Sequence, residues 1–235
     1  MVNNLNLLKN DLAKLQVPKN PAILGRFFKT GKGQYGEGDV FLGLSVPQQR
    51  EVAKKYSGLT FKKLQELLSG KIHEYRQTAL FILTAKYKKS DKAEKRKIFD
   101  FYLKNTKNIN NWDLVDLSAP NIVGDYLLDN NRSILYKLAR SKNLWEKRIA
   151  MLSTYAFIRK GQFEDALKIS EILLNDTHDL IHKAVGWMLR EVGKKNQNAE
   201  ENFLQKYCRQ MPRTMLRYAI EKFPEEKRNY YLGRS

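Results

Sequence analysis

Trp112 and Asp116 stand four residues apart, Lys183 and Trp187 repeat that spacing, and Arg148 lies between the two pairs. On a helix, residues four apart share one face. Indole faces attract cations, with roughly 0.5–2 kcal/mol available per contact. A guanidinium presents a planar fork suited to phosphate, and a carboxylate stabilises positive charge beside it. Each residue alone has a plainer explanation. A tryptophan in a helical protein is usually core, an aspartate near a helix start is often a cap, and a single arginine can be a solvated surface charge. Their convergence on one face of a strongly basic chain points to a binding surface.

That face depends on a repeat. Tyr75–Phe81, Glu146–Leu152 and Ile181–Trp187 are similar segments, and Gln77, Arg148 and Lys183 within them are 71 and 35 positions apart. The spacing fits a period near 35 with one further unit centred near residue 112, where Asn111–Ser118 is compatible with a helix. In this register one column reads Gln77, Trp112, Arg148, Lys183, and a second, four residues on, reads Phe81, Asp116, Leu152, Trp187. A third column, Ala79, Leu114, Ala150 and Val185, is apolar. Helix pairs of this period stack as an α-solenoid, each repeat burying its stripe on the next. The expected fold is therefore all-α, a single domain over residues 1–235, with HEAT-like repeats and a concave basic face.

The local signals agree. Ile72, Tyr75, Ala79 and Ile82 form an apolar stripe, as do Trp145, Ile149, Leu152 and Ala156, and Ile181, Val185, Met188 and Val192. Asp91 with Glu94 three residues on opens a helix up to about Lys104. Pro47 and Pro212 suit first turns, and Gly58, Gly70, Gly161 and Gly193 are placed to end helices. Around a dozen helices result. Gly31–Gly36 fits the G-x-G-x-x-G dinucleotide fingerprint, but that signal requires a preceding strand. A helical segment, Pro21 to Lys29, precedes it here, so residues 30–44 read as a flexible loop.

Forty-three Lys and Arg against 25 Asp and Glu leave a formal net charge of +18, which attracts polyanions: DNA, RNA or an anionic membrane. A single cysteine, Cys208, excludes an internal disulfide. His73, His178 and His182 make no metal motif; His178 and His182, four apart, read as solvated. The start, Met1 to Asp11, shows no leader pattern, and no apolar run approaches the ~20 residues of a membrane span. The expectation is a soluble cytoplasmic protein, a monomer, with no metal or organic cofactor.

Asn111-Trp112-Asp113-Leu114-Val115-Asp116, Trp145-Glu146-Lys147-Arg148 and Lys183-Ala184-Val185-Gly186-Trp187-Met188-Leu189-Arg190-Glu191 resemble the signature segments of the AlkD family of bacterial DNA alkylation-repair glycosylases. Gly36–Gly43 is similar to a segment common among its relatives. The resemblance implies HEAT-like repeats on duplex DNA and excision of cationic purines such as 3-methyladenine and 7-methylguanine, without flipping the base into a pocket. It makes Trp112, Asp116 and Trp187 the catalytic trio and Arg148 a phosphate-gripping residue, with Lys183, Lys147 and Arg190 as further backbone contacts. Asn111 departs from the family's best-known member, which has a second tryptophan there, and the glycine loop is longer. A non-catalytic DNA- or RNA-binding repeat protein is the alternative, and retention of Asp116 favours the enzyme.

Overall fold

The computed structural model describes residues 4–17 and 20–234. Met1–Asn3, part of the stretch read above for a leader, lie outside them. The chain divides into two compact units, Met1–Ser118 and Ala119–Ser235. Both are helical. Among the described residues the β-structure is one isolated parallel bridge, Val40 to Ile72.

The first unit runs α1 (Leu5–Lys14), α2 (Asn20–Phe27), α3 (Val46–Lys55), α4 (Phe61–Leu68), α5 (His73–Lys89), α6 (Lys92–Lys104) and α7 (Trp112–Ala119). Its helix starts obey the capping rules. Asp91 accepts the Glu94 N–H at 2.8 Å, and Gln48 accepts the Ser45 N–H at 2.9 Å, with Pro47 in the first turn of α3. Helix α5 is the centre, with α3, α4 and α6 packed on it. Instead of one apolar stripe it is buried almost all round, and it carries His73, Glu74, Arg76 and Gln77 into the interior. The single-stripe reading of its sequence is corrected here, because helices on several sides leave its first turns no solvated face.

Those buried polar groups explain the glycine segment. Glu74 Oε2 accepts the Leu42 N–H at 2.9 Å, and its Oε1 accepts those of Gly43 and Leu44 at 2.8 and 3.2 Å. The loop thus wraps three backbone donors around one carboxylate. Gly43 makes the wrap at φ +87°, where a Cβ would lie 2.7 Å from Asn20 Cβ. The segment is preceded by helix α2, so the dinucleotide fingerprint lacks its strand as expected. It is a pinned structure, not the flexible loop that its glycines suggest.

The second unit opens with a π-helical turn, Pro120–Gly124, and a single-turn α8 (Asp125–Leu127). There follow α9 (Ser133–Ala139), α10 (Leu144–Ser153), α11 (Tyr155–Arg159), α12 (Glu164–Ile172), α13 (Asp179–Lys195), α14 (Gln197–Tyr207), α15 (Arg213–Ala219) and α16 (Glu225–Arg234). Helix α13 packs against α10, α14 and α15. Its stripe Ile181, Val185, Met188 and Val192 is fully buried, and Trp145, Ile149, Leu152 and Ala156 of α10 and α11 are buried too. The apolar column Ala79, Leu114, Ala150 and Val185 is buried at every position, so the repeat register holds in both units. One helix end is corrected. Gly193 does not stop α13, which continues to Lys195. Glu200 Oε2 lies 1.6 Å from where a Cβ on residue 193 would stand. The glycine makes room for that buried carboxyl, whose pKa burial, with help from Glu201, pushes up to about 8.

Hydrogen bonds to a buried charge contribute about 1.5–3 kcal/mol each. Glu74→Gln, which keeps the shape but loses the charge and one acceptor oxygen, is expected to lower stability by about 2 kcal/mol. It should also expose residues 30–44 to limited proteolysis. Urea denaturation and peptide mapping check both; an unchanged midpoint and cleavage pattern would show that the carboxylate does not hold the loop.

Candidate active site and nucleic-acid interface

In the first unit α2, α3, α5, α7 and the glycine segment enclose a recess of about 440 Å³. Its walls are aromatic, with Phe27, Phe28, Phe41, Phe81 and Trp112; Gln49, Arg50, His73, Glu74, Gln77, Asp113 and Asp116 supply the polar groups. Trp112 and Asp116 both line it, half-buried, in successive turns of α7. The Trp112 ring stacks on Phe28 (centroids 5.3 Å apart, planes 25° apart) and meets the edge of Phe27 at 5.8 Å. The indole is thus held by two phenyl rings while the residue remains partly exposed.

Beneath the recess lies a buried ionic network. The Asp39 carboxylate receives Arg76 Nη2 at 2.6 Å and His73 Nδ1 at 3.2 Å. His73 Nε2 reaches Asp113 Oδ2 at 2.8 Å, which also accepts from Gln77 Nε2 at 2.7 Å. Burial alone would lower the His73 pKa, but hydrogen bonds to Asp113 and Asp39 and the charge of Asp113 overcome it and hold it up at about 9. The ring is an imidazolium at neutral pH. Burial likewise works to raise Asp39, yet the His73 hydrogen bond and the Arg76 charge leave it below the usual carboxylate range.

The start of α7 is tied into the same network. Asn111 is fully buried; its Oδ1 accepts the Trp112 N–H at 2.8 Å and its Nδ2 donates to Asp39 at 3.4 Å. Asp113 Oδ1 accepts the Leu114 N–H at 2.8 Å. The departure at Asn111 therefore has a local reason: an amide there caps the helix that carries Trp112 and Asp116 and links it to the glycine segment. Sequence reasoning treated Asp39, His73, Glu74, Arg76 and Asp113 as bystanders. The available signal was charge at His73, Glu74 and Arg76 interleaved with an apolar stripe, where a solvated helix would keep its charges on one side.

The remaining residues of the sequence reading lie in the second unit. Trp187 is half-buried, with Nε1 donating to Glu191 at 3.2 Å and its ring 6.3 Å from that of Tyr155. Arg148 is only 5% exposed and donates from Nη1 to the Leu180 carbonyl at 2.6 Å, joining α10 to the first turn of α13. Lys147 pairs with Asp176, Lys183 with Asp179 at 2.7 Å, and Arg190 with Glu221. The column Gln77, Trp112, Arg148, Lys183 is thus graded in exposure, with Gln77 and Arg148 buried and Lys183 open. His178 and His182 are not solvated as expected. His178 Nδ1 accepts the Leu180 N–H at 3.1 Å, with burial lowering its pKa, and His182 Nε2 meets the Asp176 carbonyl.

An all-helical repeat architecture, with a carboxylate and an indole in the lining of an aromatic recess, defines the class. Residues 8–223 match the family of DNA alkylation repair enzymes, and the chain belongs to that family. Its fold is similar to a predicted DNA alkylation repair enzyme from Enterococcus faecalis (TM-score 0.68, 17% identity, covering 89% of this chain and 97% of that one). It is also similar to AlkD2 from Streptococcus mutans (TM-score 0.57, 16% identity, 88% and 99% covered). A third likeness is smu.31 of Streptococcus mutans UA159 (TM-score 0.52, 16% identity, 81% and 91% covered). At these identities the structures attest the fold. No curated protein matches the sequence. Among the described residues, no helix is long and apolar enough to cross a membrane.

The imidazolium has a thermodynamic consequence. A histidine whose pKa rises from 6.5 to about 9 on folding contributes stability that is complete below 6.5 and lost as pH rises through about 9. The melting temperature is therefore expected to fall between neutral pH and about pH 10, and His73→Gln should flatten that decline while lowering the neutral-pH value. An identical alkaline slope in the variant would place the titrating group elsewhere.

Proposed function

We propose that this protein is a DNA N-glycosylase that hydrolyses the bond between deoxyribose and a cationic alkylated purine, such as 3-methyladenine or 7-methylguanine, in duplex DNA. The observation that carries the reading is Asp116, partly exposed in the lining of the recess with Trp112 one turn before it. Family membership supplies the setting, DNA alkylation repair.

N-alkylation makes the purine cationic, so it departs without protonation by a general acid. The cost lies in positive charge growing on the sugar, as in an oxocarbenium-like transition state. Asp116, ionised, stabilises that charge and orients a water for attack on the anomeric carbon. Trp112 and Trp187 are assigned to hold the sugar and phosphate through their indole faces. Nothing in this scheme requires the base to be flipped for cleavage, because the protein's groups act on the sugar. The product would be an abasic site, the first intermediate of base excision repair. The enzyme would act as a monomer, in the cytoplasm, without a cofactor.

Affinity would come from phosphate contacts and fall steeply with salt. Lys147, Lys183 and Arg190 already have acidic partners, so phosphates would have to exchange with Asp176, Asp179 and Glu221. That exchange keeps each cation preset in orientation. Arg148, being buried, is assigned to holding α10 on α13 as well as to gripping the backbone.

Methylated duplex DNA, with released bases and abasic sites as the readout, tests the reading. Asp116→Asn is expected to keep DNA affinity and lose about 100-fold or more in release. Full activity in that variant would remove the carboxylate from the mechanism. DNA retained at full affinity but never cleaved by the wild type would leave a binding protein. Trp187→Ala is expected to slow excision about 10-fold with a melting temperature within a few degrees of wild type. Collapse of the thermal transition would make this tryptophan a core residue.

A further inference from the structure

Within the second unit, the repeat register that holds Lys183 and Trp187 continues past α13. Leu216, Ala219 and Ile220 stand 35 positions after Ile181, Ala184 and Val185, and all of them are buried. The less buried positions correspond as well. Lys183, its side chain 39% exposed, is matched by Tyr218, a residue 36% exposed. Trp187 is matched by Lys222, whose side chain is 60% exposed. Tyr218 lies in α15 and Lys222 ends the 3-10 turn Ile220–Lys222 that follows it.

The contacts between α13 and α15 show the same succession. Asp179 hydrogen-bonds to Thr214, a Cβ on residue 186 would lie 2.5 Å from Tyr218 Cβ, and Arg190 pairs with Glu221. The partners advance together along both helices, so α13 and α15 run in the same direction. Gly186, the residue before Trp187, is what lets α15 come so near. Behind it, Arg213 Nη1 donates to the Leu232 carbonyl of α16 at 2.7 Å, and Tyr231 of α16 is 2% exposed. Helix α15 is thus the next copy of the opening turns of α13, backed by a helix of its own.

The plain reading of α15 is a capping repeat, which asks only for a polar outer face. That reading does not explain an exposed tyrosine and an exposed lysine in the two columns that carry Lys183 and Trp187. In a chain of net charge +18 those columns face a polyanion.

We propose that α15 holds the duplex backbone beyond the nucleotides assigned to α13, with the Tyr218 hydroxyl donating to one phosphate and the Lys222 ammonium pairing with another. The choice of duplex DNA rests on the glycosylase reading. Both are positioning residues, gripping the strand away from the sugar that reacts. Lys222 Nζ lies 3.1 Å from Glu221, and the phosphate takes the place of that carboxylate.

Fluorescence anisotropy of the full chain on unmodified duplex, over a series of salt concentrations, tests the proposal without catalysis. Lys222→Gln is expected to weaken binding and to reduce the slope of log affinity against log salt by about 0.9, the share of one phosphate. Tyr218→Phe should weaken binding several-fold and leave the slope alone, because its hydroxyl is neutral. Melting curves establish that both variants fold. Shortening the duplex stepwise on one side of the lesion position should erase the difference between each variant and wild type, whereas shortening the other side should preserve it. Unchanged affinity and slope in both folded variants overturn the proposal. So does a loss that persists however short the duplex becomes on either side. Weakened duplex binding in both variants of a protein that releases no base would keep this surface and remove the enzyme. Base release that saturates at wild-type protein concentrations in both variants would remove the surface and leave the enzyme.

Discussion

The first unit is organised by one interaction, the imidazolium of His73 clamped between two carboxylates. Asp39 arrives from the glycine segment and Asp113 from the first turn of α7, and the histidine itself opens α5. Three pieces of chain distant in sequence are thereby fixed to one ring. Removing charges from water is expensive, and such clusters are stable only when every member is partnered. Here Arg76, Gln77 and Asn111 add contacts to the two carboxylates, although Arg76 Nε itself is buried without a hydrogen bond, and the aromatic rings of Phe28 and Phe41 close over the imidazolium. The recess is the hollow left above this clamp.

The second unit is built by another logic. Its long helix α13 is a conventional amphipathic element, buried along Ile181, Val185, Met188 and Val192. Its polar links are individual: Arg148 to the Leu180 carbonyl, Lys147 to Asp176, Arg190 to Glu221. Where the first unit gathers charge into a buried cluster, the second distributes it as separate pairs along helix faces.

Much of the fold was legible because helical periodicity survives in the letters. Ala79, Leu114, Ala150 and Val185 were set in one column by spacing alone, and all four are buried. The cap at Asp91 and the first-turn proline at position 47 were equally readable, since helix starts are set by local interactions of three or four residues. What escaped depended on partners far along the chain. Glycines in residues 30–44 signal freedom when read locally, and nothing nearby reveals that Glu74 gathers their backbone N–H groups. Gly193 resembled a helix stop because its true cause, the carboxyl of Glu200, lies across a helix–helix contact. At the site, Trp112 and Asp116 were found by their spacing, whereas Asp113, one residue from Trp112, was passed over, since i and i+1 residues point in different directions and serve different surfaces. Arg148 was legible as a cation in the right column but not as a buried one.

The bond from Asn111 to Asp39 spans 72 residues, and that span bears on how the protein reaches its working form. Closing so large a loop is entropically slow compared with winding a helix. Helices α3 to α6 lie between the two residues in sequence, and the amide that caps α7 meets its acceptor across all of them. The start of the helix bearing Trp112 and Asp116 is thereby tied to a segment brought back from near the beginning of the unit, so the two side chains keep their place only while that segment is docked.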